Sequence, residues 1–192
     1  MKVVAFNGSP RKKGNTELLL REVLKVLENH NIKTELIQIG GKDVNSCVAC
    51  MKCRDKKDGQ CHKKNDLLNK CLNAMAEADG ILIGSPVYFS DITPETKALL
   101  DVAGYALRAA GNPLKRKAGA AVIAVRRAGA IHSFDSINHF FLINEMIIPG
   151  SSYWNLGIGK DKGDVLKDKE GIKTMKTLGE NMAWLLKRIN KK

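Results

Sequence analysis

From one end of the chain to the other, short apolar runs alternate with longer amphipathic stretches. A strand buried on both faces reads as a continuous apolar run and a crossover helix as a one-sided stripe, so this alternation points to a parallel sheet covered by helices. Strands are predicted over 2–6, 34–39, 80–84, 118–125 and 146–148, and helices over 16–29, 66–78, 94–110, 136–145 and 169–189. No repeat or low-complexity linker interrupts the pattern, so residues 1–192 read as one α/β domain with a cysteine-rich segment at 45–65. A doubly wound five-stranded sheet of order 2-1-3-4-5 follows, with its ligand crevice at the carboxyl ends of the first and third strands.

Composition narrows the function classes. Lys and Arg number 32 against 20 Asp and Glu, a net charge of +12, and 44% of residues are hydrophobic. That is enough apolar material for a core, which excludes a disordered chain. No apolar run approaches the ~18 residues of a spanning helix, so no membrane is expected. Residues 1–8 break too early to read as a secretory signal, and the expected location is the cytoplasm. Positive charge gathers at residues 11–13, in the cysteine segment (Lys52, Arg54, Lys56, Lys57, Lys63, Lys64) and in the tail (Lys187, Arg188, Lys191, Lys192). Such charge is either a solvated surface or a field that draws anionic cofactors and an acidic partner. Aromatics interleaved with the basic residues, as base stacking requires, are missing, so no nucleic-acid partner is expected.

The first strand runs into Asn7-Gly8-Ser9-Pro10-Arg11-Lys12-Lys13-Gly14-Asn15-Thr16 and then a helix. Backbone N–H groups and the positive end of a helix dipole meet there, an arrangement that binds phosphate. Neither the dinucleotide G-x-G-x-x-G pattern nor the Walker A spacing is met. Two hydroxyls, an amide and Arg11 remain, which suits a terminal monophosphate. The plainer alternative is that Gly8 and Pro10 turn the chain while Asn15 or Thr16 caps the helix. After the third strand, Ser85-Pro86-Val87-Tyr88-Phe89-Ser90 brings an aliphatic and two aromatics to the same sheet edge, suited to a flat heteroaromatic ring or simply to a hydrophobic turn.

Four of the five cysteines fall within fifteen residues, as Cys47-x2-Cys50-x2-Cys53-x7-Cys61. Such a loop can wrap one cubane, whose four iron corners each take a thiolate. Structural zinc is the rival, but it usually takes two well-separated ligand pairs. His62 is the remaining nitrogen donor beside the set, more simply a surface residue. Cys71 falls on the inward face of a predicted helix and reads as core, with Asn65 or Asp66 capping that helix. No Ser-His-Asp arrangement or carboxylate pair is apparent, so no catalytic side chain is assigned; His30, His132 and His139 read as helix or loop residues.

Gly8-Ser9-Pro10-Arg11 with Gly14-Asn15-Thr16, then 78–89 and Lys97-Ala98-Leu99-Leu100-Asp101, resemble the flavodoxin-like NAD(P)H-dependent FMN reductase superfamily over nearly the whole chain. The resemblance implies that Ser9, Arg11, Asn15 and Thr16 contact the FMN phosphate. It implies that Pro86, Val87, Tyr88 and Phe89 lie along the ring, and that the loop Arg126-Arg127-Ala128-Gly129, through Arg127 and Gly129, closes over the other flavin edge. The two arginines depart from the glycine-rich versions of that loop. The cysteine pattern is similar to that of the iron-sulfur flavoprotein branch, at the long end of its last spacing. This implies Cys47, Cys50, Cys53 and Cys61 as ligands of a [4Fe-4S] cluster, exchange of electrons between FMN and a ferredoxin-like partner, and a homodimer or homotetramer. Oxidised cluster and FMN together add about four negative charges, leaving about +8 to attract acidic ferredoxin. A cluster-free NAD(P)H-dependent FMN or quinone reductase is the alternative, and a zinc-bearing binding module the third reading.

Overall fold

A computed structural model of the chain describes residues 1–63 and 65–190; Lys64, Lys191 and Lys192 of the basic segments lie outside the described residues. The strands are β1 (Lys2–Asn7), β2 (Lys33–Gln38), β3 (Gly80–Pro86), β4 (Ala118–Val125) and β5 (Leu156–Ile158). The α-helices are α1 (Asn15–Asn29), α2 (Lys52–Lys56), α3 (Asp66–Glu77), α4 (Pro94–Ala109), α5 (Ala130–Ile143) and α6 (Lys169–Ile189), with a 3-10 turn at Asp164–Lys167. All strand pairs are parallel and the order is β2-β1-β3-β4-β5. The chain therefore reverses its direction of winding between β1 and β3, where a crevice opens at the carboxyl edge.

Alternation along the strands divides the core. Val3, Ala5, Leu82, Ala118, Ala120 and Val122 face a layer made by α1 and α6, while Val4, Phe6, Ile81, Ile83, Ala121 and Ile123 face α3, α4 and α5. Each central strand thus buries both faces, as its uninterrupted apolar sequence requires. On α1, Leu19, Leu20, Val23, Leu24 and Leu27 form the inward stripe, and on α6 it is Met175, Leu178, Met182 and Leu186. Among the described residues no helix is long and apolar enough to cross a membrane.

Two elements depart from the sequence reading. The expected strand at 146–148 supplies a single bridge, Ala118 with Ile147, and the fifth strand is Leu156–Ile158, paired with the far end of β4. Both segments lie along the same edge of β4. Pro149 lacks the N–H that would continue the ladder and Gly150 follows it, so the chain leaves the edge and returns at Asn155, whose carbonyl accepts the Ile123 N–H. Helix α5 begins at Ala130 rather than 136, because Gly129 at φ 87° turns the chain directly from the loop after β4 into the helix. The cysteine segment also holds a short helix, α2, where the sequence reads as loop.

Candidate cofactor sites

The crevice is built by packing at its floor. Gly8 donates its N–H to the Gly84 carbonyl at 2.8 Å, and its own carbonyl accepts from the Thr93 hydroxyl at 2.9 Å. A Cβ on Gly8 would stand 1.9 Å from Thr96 Oγ1 and 2.9 Å from the Gly84 oxygen, so only glycine lets the β1 loop lie against α4. Gln38 ties this loop to the chain leaving β2, donating to the Ser9 and Gly40 carbonyls. The Asn7 amide in turn donates to Gln38 at 2.7 Å, and its carbonyl oxygen accepts the Ser9 N–H.

Above this floor lies a cavity of about 300 Å3 lined by Ser9, Arg11, Asn15, Thr16, Pro86, Val87, Tyr88 and Arg126, with 159–162 closing one side. That is at the lower end of small-molecule sites, ~300–1,000 Å3. Its two ends differ in chemistry. At one, Gly14 precedes helix α1 and no side chain caps the helix, which leaves its first-turn N–H groups able to bind an anion. At the other, Pro86, Val87 and Tyr88 give a flat apolar wall. Seven sequence-assigned residues are brought together here. Phe89, Arg127 and Gly129 are not among the residues lining the cavity: Phe89 is fully exposed, and Arg127 and Gly129 line a neighbouring hollow with Tyr153 and Trp154.

The ring-side loop owes its shape to a two-residue turn. Tyr88 and Asp91 exchange backbone hydrogen bonds at 2.7 and 3.1 Å, with Phe89 at φ 45° and Ser90 at φ 72° between them. Two left-handed residues in sequence define a type I′ turn, unusual without Gly or Asn and a store of strain at a functional edge. Asp91 anchors the turn to α5, accepting the Ser136 hydroxyl at 2.9 Å and lying 3.4 Å from His132 Nε2.

The loop after β5 also borders the cavity, a place that the sequence, with its expected fifth strand at 146–148, does not reveal. Asn15 holds it: Oδ1 accepts the Gly163 N–H at 2.9 Å, and Nδ2 donates to the Asp161 carbonyl at 2.9 Å. Lys160 and Lys162 are thereby set beside Arg11 and Arg126, with Asp161 as the one carboxylate among the described residues of the lining. The cavity is a strongly positive one, as a dianionic phosphate prefers. Glu17 braces the loop from the first turn of α1, accepting the Lys13 N–H at 2.6 Å and pairing with Arg21 at 2.7 Å. Burial pushes its carboxyl up, but the Lys13 N–H and the Arg21 guanidinium together hold it below its ordinary value.

The four clustered cysteines line a second hollow, against Val102, Tyr105 and Ala106 of α4, and no carboxylate is among the described residues lining it. Ala49, Met51 and Lys57 all take positive φ, winding the segment tightly enough to bring all four cysteines to the wall of one hollow. Burial pushes the Cys53 thiol up; neighbouring N–H groups partly offset this, and the Cys47 and Cys61 sulfurs add to it. The hollow measures about 20 Å3, room for roughly one water. Among the described residues, no three Cys, His, Asp or Glu side chains stand close enough to hold a metal ion as they are. His62 lines the hollow beside the thiols, but a donor set of four cysteine sulfurs, with no carboxylate among the described lining residues, is that of an iron-sulfur cluster. Cys71 is elsewhere, fully buried in the core, and burial raises its thiol to about 12.

A doubly wound sheet with a phosphate-type loop and an apolar wall at its switch point is the flavodoxin-like arrangement. Solved structures agree on the fold. RosB bound to 8-demethyl-8-formylriboflavin-5'-phosphate superposes with a TM-score of 0.75 at 16% identity, over 98% of this chain and 80% of that one. A flavodoxin from the domain Archaea gives 0.62 at 17% identity, over 97% and 99%. Within that class the chain belongs to the NADPH-dependent FMN reductase family, whose model matches residues 1–161, and it is a flavin-dependent oxidoreductase. Over its full length it is 39% identical to an iron-sulfur flavoprotein of Methanocaldococcus jannaschii, covering 100% of both chains.

Proposed function

We propose that this chain binds FMN in the β1–β3 crevice, holds a [4Fe-4S] cluster through Cys47, Cys50, Cys53 and Cys61, and exchanges electrons with a ferredoxin-like partner. The observation that carries the reading is the pairing, in one domain, of a positive, apolar-walled cavity with four thiols around one hollow free of carboxylates among the described residues. When bound, FMN supplies one- and two-electron chemistry and the cluster a one-electron relay.

The chain's own residues do the rest. Ser9, Arg11, Thr16 and the uncapped first turn of α1 bind the phosphate, while Asn15 lies at the same end and fixes the lysine loop beside it. Pro86, Val87 and Tyr88 exclude water from one ring face. Phe89, Arg127 and Gly129 rim the opening, where they meet an incoming donor or a second subunit. Arg126 sets a positive charge at the ring end, which favours uptake of electrons there. Exposed Leu142, Ile143, Tyr153 and Trp154 supply apolar surface for a homodimer or homotetramer. The net charge of +12 favours an acidic protein partner.

One observation favours a second reading, an NAD(P)H-dependent FMN or quinone reductase without a cluster: the sulfur-lined hollow is far smaller than a cubane, so loading requires residues 46–53 to move outward. Absorption spectroscopy with iron and sulfide analysis on anaerobically purified protein, and mass spectrometry of the released cofactor, separate the two. Flavin with a broad iron-sulfur envelope supports the first; flavin alone supports the second; FAD or no flavin after reconstitution overturns both.

A further inference from the structure

Helix α3 starts on two asparagines one turn apart, and both turn away from the helix toward the cysteine segment. Asn65 is buried and occupies the N-cap position, yet its side chain caps no backbone N–H. Its Oδ1 accepts the Asn45 N–H at 2.9 Å and its Nδ2 donates to the Asn45 carbonyl at 2.7 Å, closing a two-bond clamp on the residue where the segment begins. The same Nδ2 lies 3.9 Å from Cys61 Sγ, within reach of an N–H···S hydrogen bond. Asn69 builds the matching clamp at the other end, its Oδ1 accepting the Cys61 N–H at 2.8 Å and its Nδ2 donating to the Cys61 carbonyl at 3.0 Å. Residues 45 and 61 are therefore pinned to one helix, and the stretch that carries Cys47, Cys50 and Cys53 runs between these two clamps.

We propose that Asn65 and Asn69 are the positioning residues of the cysteine site: Asn69 fixes the backbone of the fourth ligand, and Asn65 donates to its sulfur and so raises the reduction potential of the cluster. This rests on the cluster reading above. An N–H aimed at a thiolate stabilises negative charge on sulfur, and the reduced cluster carries one electron more than the oxidised one. Removing the donor therefore disfavours reduction. Among the described residues the Asn69 side chain hydrogen-bonds to the peptide of Cys61 alone, so its loss loosens the ligand without changing the charge balance at sulfur. The two asparagines have separable effects.

The test uses full-length protein reconstituted anaerobically with iron and sulfide, in wild-type form and as Asn65→Ala, Asn65→Ser and Asn69→Ala. Serine keeps a hydroxyl for the Asn45 backbone and withdraws the amide from Cys61, which covers the case in which alanine frees the segment altogether. Redox titration followed by EPR reads the cluster midpoint, and a chelator time course reads iron retention. Both Asn65 variants are expected to make reduction about tenfold less favourable, equivalent to about 59 mV for one electron. Asn69→Ala is expected to lose iron several-fold faster at an unchanged midpoint. Wild-type midpoints in both Asn65 variants, or unchanged iron loss in Asn69→Ala, overturn the assignment. If wild-type protein takes up no iron, the cluster reading fails, and the assignment with it.

Discussion

Arg11 and Arg126 both line the cavity, and the proposed function gives them different work. Arg11, proposed to contact the phosphate, has its guanidinium 3.5 Å from the Lys160 carbonyl, a weak tether that leaves it available to an anion. Arg11→Ala should weaken FMN by ~1.5–3 kcal/mol, the range for a hydrogen bond to a charged group, as read by fluorescence titration of the apoprotein. Unchanged affinity would remove Arg11 from the site. Cys71 makes the opposite kind of expectation. A thiol raised to about 12 and fully buried stays protonated at pH 8, so alkylation of the native protein should reach exposed Cys50 and spare Cys71 until the chain unfolds. The cysteine spacing and the inward place of Cys71 were legible in sequence, because each is a local pattern. Asn65 and Asn69 were not: an asparagine at a helix start reads as a cap, and only the fold reveals that these amides turn to residues 45 and 61.

The first β-α unit concentrates the site, and two of its features can be tested. Gly8→Ala forces a methyl against Thr96 and the Gly84 carbonyl, an overpacking that costs about 1–3 kcal/mol and should lower both the melting temperature and FMN affinity. An alanine variant with wild-type melting would show that α4 yields more than this packing suggests. Glu17 gives the unit a pH dependence. Its carboxyl is held below the ordinary 4.5, so its contribution is complete above that pH and is lost as pH falls through the lowered folded value. Urea midpoints measured from pH 6 to pH 3 should fall less steeply in Glu17→Gln than in wild type; parallel curves would contradict the pairing with Lys13 and Arg21. The β-α alternation and helix α6 could be read from periodicity, and the strand order matches the doubly wound sheet that the alternation implies. The edge strand could not be so read. Leu156–Ile158 is three residues long with a glycine at its centre, too short for alternation to register, whereas 146–148 offers the apolar run but is followed by Pro149. Misplacing it hid the lysine loop that Asn15 holds over the cavity.

At the scale of the molecule, α4 links the two sites. Its amino end packs under the β1 loop through Thr93 and Thr96, and Val102, Tyr105 and Ala106 back the cysteine hollow, about 9–15 Å farther along at 1.5 Å per residue. The cofactors would thus be carried on one rigid element yet bound by separate loops. Because the loops are separate, loss of one group should leave the other. The deciding measurement is iron, sulfide and FMN content per chain in anaerobically reconstituted wild type, Cys50→Ala and Cys61→Ala. Wild type should hold about four iron and four sulfide with one FMN, and both variants should hold FMN without a stable cubane. Full iron and sulfide in Cys50→Ala, or none in wild type, would contradict that expectation.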